Sequence, residues 1–265
     1  MDLHYAYLFP CAVVVCTLAT ASGFSGSILF QPIFYFTASI PLNVSIATGI
    51  ATEAVGMTNG TATYLAMSRK YKEPTVSFPA VIRILPQMVL GILIGLIAFS
   101  KMPSNALRIG LGVVMVLIGI FQLSNHSTSS QHGSAQNYKL LRKPVMLFYQ
   151  LISGASSACT GTGVAELSQP MLEKGVLLTQ IRANATAICL EAIADLIITM
   201  ANLELGNLRF DVLIYTVCGV LVGGQIGPRL TRYVHGSLVR LVYCVTVIAI
   251  GVFYIFTSLS FAVKT

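Results

Sequence analysis

Charge is what this sequence has least of. Asp, Glu, Lys and Arg make up 9% of its 265 residues, where soluble chains carry roughly a quarter. That is too little to solvate a surface, so an ordinary soluble domain is excluded. Disorder is excluded as well, because 55% of the residues are hydrophobic and disordered chains are polar and charged. No charged residue occurs at positions 3–52, 109–138 or 241–263. Apolar–polar alternation at period two is also missing, which excludes a transmembrane barrel. The cysteines (Cys11, Cys16, Cys159, Cys189, Cys218, Cys244) all lie in apolar stretches. None has C-x-x-C spacing, so they read as packing residues and no metal is expected. A P-loop is absent, so the chain is not itself an ATP-driven pump, and no cofactor is expected. The first apolar run lacks a basic flank and outlasts a signal-peptide core, so no cleavable signal is expected.

What the sequence has is long apolar runs. A helical span needs about 20 such residues, and this chain has room for about eight to ten membrane segments. The fold class is an all-α polytopic membrane protein. Its net charge of +7 sits in short gaps between apolar runs, as cytoplasmic loops do. The partner implied is the lipid bilayer and not nucleic acid.

The chain also repeats itself. A shift of 138 places Gly23 on Gly161, Gln31-Pro32 on Gln169-Pro170, Ala47-Thr48 on Ala185-Thr186 and Glu53-Ala54 on Glu191-Ala192. Further on, a shift of 132 brings Gly91 and Gly95 onto Gly223 and Gly227, and Arg108 onto Arg240. Residues 1–124 and 144–265 are therefore two membrane repeats, joined by a polar linker over 125–143. Each repeat parses as a short apolar helix (about 7–22; 144–159), a Ser/Thr/Gly break and a shorter apolar piece (26–37; 164–173). Three long helices follow, near 43–67, 76–100 and 104–123, and near 179–202, 210–232 and 236–262.

Loop charges decide how the repeats are related. If the broken pair crosses the membrane once, the repeats are parallel and Lys/Arg divide eight against seven between the two faces. If the pair enters and returns, the repeats are inverted. One face then holds Arg69, Lys70, Lys72, Lys139, Arg142, Lys143, Lys174, Arg182, Arg229, Arg232 and Arg240. The other keeps Lys101, Arg108, Arg209 and Lys264. Eleven against four obeys the positive-inside rule. The expectation is an inverted pair with a cytoplasmic linker and both termini outside the cell membrane.

A helix of about 15 residues spans roughly 22 Å, short of the ~30 Å hydrocarbon core. The broken pair thus reads as a re-entrant hairpin with its break near mid-depth. Each return helix starts at the break and points its N-terminal N–H groups at the membrane centre. Two such ends from opposite sides make an anion site without a buried cation. The candidate binding residues are Ser22, Gly23, Ser25, Gly26, Ser27 and Gln31 in the first repeat. In the second they are Thr160, Gly161, Thr162, Gly163 and Gln169. Gly91/Gly95 and Gly223/Gly227, in uninterrupted helices, read instead as close-packing positions.

Ionisable residues inside the membrane are functional candidates. Glu53 and Glu191 are repeat equivalents near mid-depth, and Asp195 lies one turn beyond Glu191 on the same face. Carboxylates so placed disfavour joint ionisation and favour proton exchange. Glu166 has no acidic counterpart, since position 28 is Ile; ionised, it would repel an anion, so it is read as protonated or as a coupling residue. Arg83, flanked by Pro79 and Pro86, either attracts the anion or pairs with one of these carboxylates. Asn59 and Asn184 are weaker candidates.

This pattern resembles the TauE/SafE family, also called the sulfite exporter or toluene-sulfonate uptake permease family. The resemblance covers nearly the whole chain. It rests on GFSGSILFQP (23–32), GTGVAELSQP (161–170), ATGIATEA (47–54), ATAICLEA (185–192) and GGQIGPRL (223–230). Members carry a Gly-Gly-Gly run where this chain reads Gly-Phe-Ser-Gly-Ser. The resemblance implies transport of small sulfur-containing anions such as sulfite, thiosulfate, sulfoacetate or other organosulfonates. The resulting expectation is a secondary, proton-coupled transporter alternating around a midplane site; the alternative is a passive anion channel on the same scaffold. An intramembrane serine hydrolase is disfavoured, because His4, His126, His132 and His235 all fall at predicted ends or loops. Small-residue helix faces permit an oligomer without demanding one.

Overall fold

A computed structural model of the chain describes residues 3–124, 136–231, 233 and 236–262. The linker stretch 125–135, with His126 and His132, lies outside the described residues, as do Arg232, His235 and Lys264. Every regular element among the described residues is helical. The first half contains α1 (Leu8–Ser22), α2 (Ser27–Pro32), α3 (Leu42–Tyr71), α4 (Phe78–Lys101) and α5 (Ser104–Ser124). The second contains α6 (Pro144–Thr160), α7 (Val164–Pro170), α8 (Gln180–Glu204), α9 (Phe210–Leu230) and α10 (Gly236–Ala262).

Five helices, the cores of α4, α5, α8, α9 and α10, are long and apolar enough to cross a membrane. The chain is an all-α polytopic membrane protein. α3 has 30 residues, about 45 Å of helix, yet it is not among those five. Its buried face mixes Ala, Gly, Ser, Thr and Glu53 with Ile46, Ile50, Met57 and Tyr64, since much of it packs on protein and not on lipid. α8 is its partner, and 61% of the α8 apolar window is buried, against 39% in the other four. These two helices form the centre.

The breaks have a local cause in both halves. α1 stops at Gly23, whose φ of 81° is left-handed and whose N–H closes onto Ala19 O at 3.0 Å. α6 stops the same way at Gly161, φ 68°, bonded to Ser157 O at 2.7 Å. Only glycine adopts that conformation without strain. Beyond each break the apolar piece is not one regular helix. α2 and α7 end at Pro32 and Pro170, and a π-helical turn follows each, Ile33–Thr37 and Met171–Gly175. Proline lacks the N–H that would continue the ladder, and the wider turn accommodates its loss.

Packing exchanges the halves. α1 packs most extensively on α9 and α4 on α6, while α3 packs on α8 and α5 on α10. Glycines set the first two contacts. A Cβ on Gly219, Gly223 or Gly227 of α9 would stand 2.5–2.6 Å from Phe9 O, Val13 O or Thr17 O of α1. On α4, a Cβ at Gly95 would stand 2.5 Å from Ala155 O, and Gly91 abuts Leu151 O. In both pairs the residue numbers rise together, so the two helices run in the same direction. In α5 and α10 they run in opposition, Gly112 meeting Gly251 and Gly119 meeting Ile248. α3 and α8 are opposed as well. Gly60 meets Ile188, and Glu53 stands beside Glu191 and Asp195.

The last residues of the segment read as a solvent linker are packed. Residues Tyr138–Arg142 form a 3-10 turn, Leu141 is buried, and the Tyr138 hydroxyl meets Ser77 Oγ at 2.8 Å.

Candidate site at the two helix breaks

The structure brings the two breaks into contact. Ser25 Oγ lies 2.8 Å from the Gly161 carbonyl and Ser27 Oγ bonds the same oxygen. Gln31 Nε2 donates to Thr160 O at 2.6 Å. A Cβ on Gly161 would strike Ser27 Oγ, and one on Gly23 would strike the Asn184 side chain. Gln169 Nε2 donates to that Asn184 at 2.8 Å. The contact is enclosed by the chain: Ser25, Ser27, Gln31, Thr162, Gln169, Glu166, Glu191 and Asp195 are each fully buried.

The N–H groups at the breaks, expected to be open to a solute, already meet carboxyl groups of the chain's own. Gly26 N and Ser27 N donate to the two oxygens of Glu53 at 2.5 and 2.7 Å, and Ser25 Oγ is 2.7 Å from Oε2. In the second half Ala165 N donates to Glu191 at 2.5 Å, with Ser157 Oγ at 3.4 Å from the other oxygen. Glu53 and Glu191 are thus equivalent in role as well as in sequence. Glu166 links the breaks, accepting from Ser25 N at 2.8 Å and from Gly163 N at 2.9 Å. Glu166 stands at the start of the second short helix as the acceptor for its N-cap N–H. The reason is geometric: three residues past Gly163, its side chain folds back onto the N-cap N–H.

Asp195 completes the group differently. Its carboxylate and those of Glu53 and Glu191 each offer an oxygen within 4.8 Å of the others. Both Asp195 oxygens are buried without a hydrogen-bond partner. Three carboxylates so close need shared protons or a bound cation to coexist. Unpartnered buried oxygens also remain at Gln31 Oε1, Thr162 Oγ1 and Gln169 Oε1. Thr160 and Ser22 do not point into the contact. Thr160 Oγ1 bonds Ser156 O at 2.9 Å, and Ser22 Oγ bonds Leu18 O at 2.8 Å, each one turn back in its own helix.

Arg83 is not part of this site. Its guanidinium bonds Pro79 O at 2.7 Å and lies over the Tyr138 ring at 5.2 Å. Among the described residues it pairs with none of the four carboxylates. Position 83 is one turn into α4, and Tyr138 of the linker's end covers it there.

Three contributors were not apparent from sequence. Tyr243 of α10 places its hydroxyl 2.8 Å from Ser25 O and 3.0 Å from Glu166 Oε1, bridging the first break to the second. Gln122 of α5 donates through Nε2 to Glu166 O. Arg240, counted above as a loop charge, is buried, pairs with Glu173 at 3.2 Å and lies over the Phe24 ring at 5.8 Å. The one available signal was that Gln122 and Tyr243 are polar groups inside apolar runs. Neither has a repeat counterpart of its own kind.

The model of the TauE/SafE sulfite exporter family matches residues 8–254, a span that takes in both breaks, all four carboxylates, Gln122 and Tyr243. The chain belongs to that family. Neither a curated protein nor a solved structure matches it. TauE/SafE is a family of membrane transporters rather than of enzymes. In this TauE/SafE member the family match and the buried apolar helices agree on a multi-pass membrane protein.

Proposed function

We propose that the chain is a secondary transporter of small sulfur-containing anions, among them sulfite, thiosulfate, sulfoacetate and other organosulfonates, coupled to protons in the cytoplasmic membrane. One observation carries this reading: the N–H groups of Gly26, Ser27 and Ala165 hold carboxylates. Donors arranged for a carboxylate suit a sulfonate or sulfite oxyanion equally well. Protonation of Glu53 or Glu191 weakens its charge-assisted bonds and yields the donors to the solute. The anion then enters together with a proton, and no net charge is left unpaired in the low-dielectric interior. Glu166 and Asp195 lie beside the exchange and relay the proton. Ser25, Ser27, Gln31, Thr162 and Gln169 supply the remaining polar contacts.

The directions of the helix pairs support inverted halves. α3/α8 and α5/α10 each map onto themselves under the repeat, and each pair is antiparallel. A repeat axis along the membrane normal would leave them parallel; an axis in the membrane plane reverses them. On this reading halves 1–124 and 144–265 rock about the breaks, with linker 125–143 cytoplasmic and both termini outside.

Proteoliposome flux tests the proposal. Wild type should move sulfite with saturation and faster under an imposed pH gradient. Glu53→Gln and Glu191→Gln should each slow flux roughly 100-fold, the scale of losing a charged contact worth about 3 kcal/mol. Each should also remove the response to pH. Flux indifferent to the gradient and to both substitutions would reject the mechanism.

A further inference from the structure

We propose that the cleft between the ends of α3 and α9 binds the headgroup of an anionic phospholipid. The cleft has a volume of about 520 Å³. Its mouth carries Lys70, Tyr71, Arg229 and Tyr233, and no acidic side chain lines it among the described residues. Asn59, Thr63 and Gln225 give it polar groups further in, beside a wall of Ala62, Ala66 and Met67. From residue 59 to residue 71 of α3 is about 18 Å of helix, enough for a headgroup, a glycerol and the start of an acyl chain.

The repeat indicates what covers this cleft. The repeat equivalent of the α3–α9 contact is the slighter contact of α8 with α4. Under the repeat shifts Asn59 corresponds to Ile197, Ala62 to Met200, Lys70 to Leu208, Gln225 to Leu93 and Arg229 to Ile97. At the end of the counterpart groove Ala66, Tyr71 and Tyr233 correspond to the charged Glu204, Arg209 and Lys101, while along it the surface is apolar, with Met200 69% and Ile97 61% exposed. Such a surface faces hydrocarbon. The α3/α9 cleft occupies the equivalent place, and at its mouth two cations and two tyrosines stand without the acid that Glu204 places at the counterpart. Lys70 lies 5.5 Å from the Tyr71 ring centroid, and Tyr233 is 82% exposed. Tyrosine marks the membrane interface, and basic pockets between helices at that level hold anionic headgroups. The phosphate sits between Lys70 and Arg229, Gln225 and Asn59 face the glycerol region, and an acyl chain runs along Ala62 and Ala66. This inference does not rest on the transport reading.

Native mass spectrometry of the purified full chain with added phosphatidylglycerol or phosphatidylcholine tests it. Wild type should retain phosphatidylglycerol over phosphatidylcholine, by roughly fivefold for each cation, and only phosphatidylglycerol should raise its melting temperature. Lys70→Gln/Arg229→Gln should lose both preferences, while Lys101→Gln, at the mouth of the counterpart groove, should keep them. Equal retention of the two lipids by wild type, or an undiminished preference in the double variant, would overturn the proposal. So would displacement of the lipid by millimolar methanesulfonate, which would make the cleft a solute vestibule. If the double variant fails to fold, the melting-temperature difference between the two lipids in wild type decides the matter alone.

Discussion

The two halves share a scaffold and differ in what they hang on it. Both stop a helix at a left-handed glycine, resume with a short helix ending in proline and a π turn, and cap that helix with a glutamate from the next long helix. The second half alone adds Glu166 and Asp195, where the first has Ile28 and Met57. It also pairs Arg240 with Glu173, where the first pairs Arg108 with Tyr35 at 2.5 Å. The first half instead supplies Ser25 and Ser27, whose hydroxyls cross to the other break. Residues that shape backbone are duplicated, because each half must make the same turn. Glu166, Asp195 and the crossing hydroxyls are not, because a contact between the two breaks is made once and each half supplies different parts of it.

The comparison can be broken at several levels. The largest effect should come from the duplicated glycines. Gly91→Leu and Gly223→Leu should each destabilise the fold by at least about 3 kcal/mol, since backbone carbonyls stand where the side chain would go. Melting temperatures in detergent would check this, and a wild-type value for either variant would mean that the two helix pairs are not equivalent. Tyr243→Phe, which touches the asymmetric side of the site, should remove a hydrogen bond worth about 1–3 kcal/mol to Glu166. Flux in proteoliposomes should fall roughly tenfold, and the melting temperature should drop by a few degrees. If Tyr243 merely packs, flux will be unaltered. Arg83→Gln should be the mildest, leaving flux within about twofold of wild type. A large loss there would return Arg83 to the solute path.

Much of the site was legible before folding. Gly23 and Gly161, with hydroxyl residues around them and a proline beyond, mark interrupted helices by local chemistry. The spacing of Glu191 and Asp195 puts both on one helical face, and the repeat adds Glu53. What could not be read is which donor meets which acceptor across the chain. Tyr243 reaches Ser25 over 218 residues and Ser25 reaches Glu166 over 141, and no period or propensity encodes such a meeting. Arg83 illustrates the converse. A lone cation between prolines in an apolar helix looks directed inward, but its direction depends on Tyr138, some 55 residues away.

By itself the sequence determined the membrane segments, the duplication and the positions of the breaks. Each follows from composition, spacing or the backbone freedom of single residues, which are local properties. Only the tertiary structure decided that the helix starts at the breaks are filled by Glu53, Glu191 and Glu166, and that Tyr243 and Gln122 brace them. A buried N–H must find an acceptor, but which acceptor comes within 3 Å depends on how the helices of both halves pack, and that is not a local property.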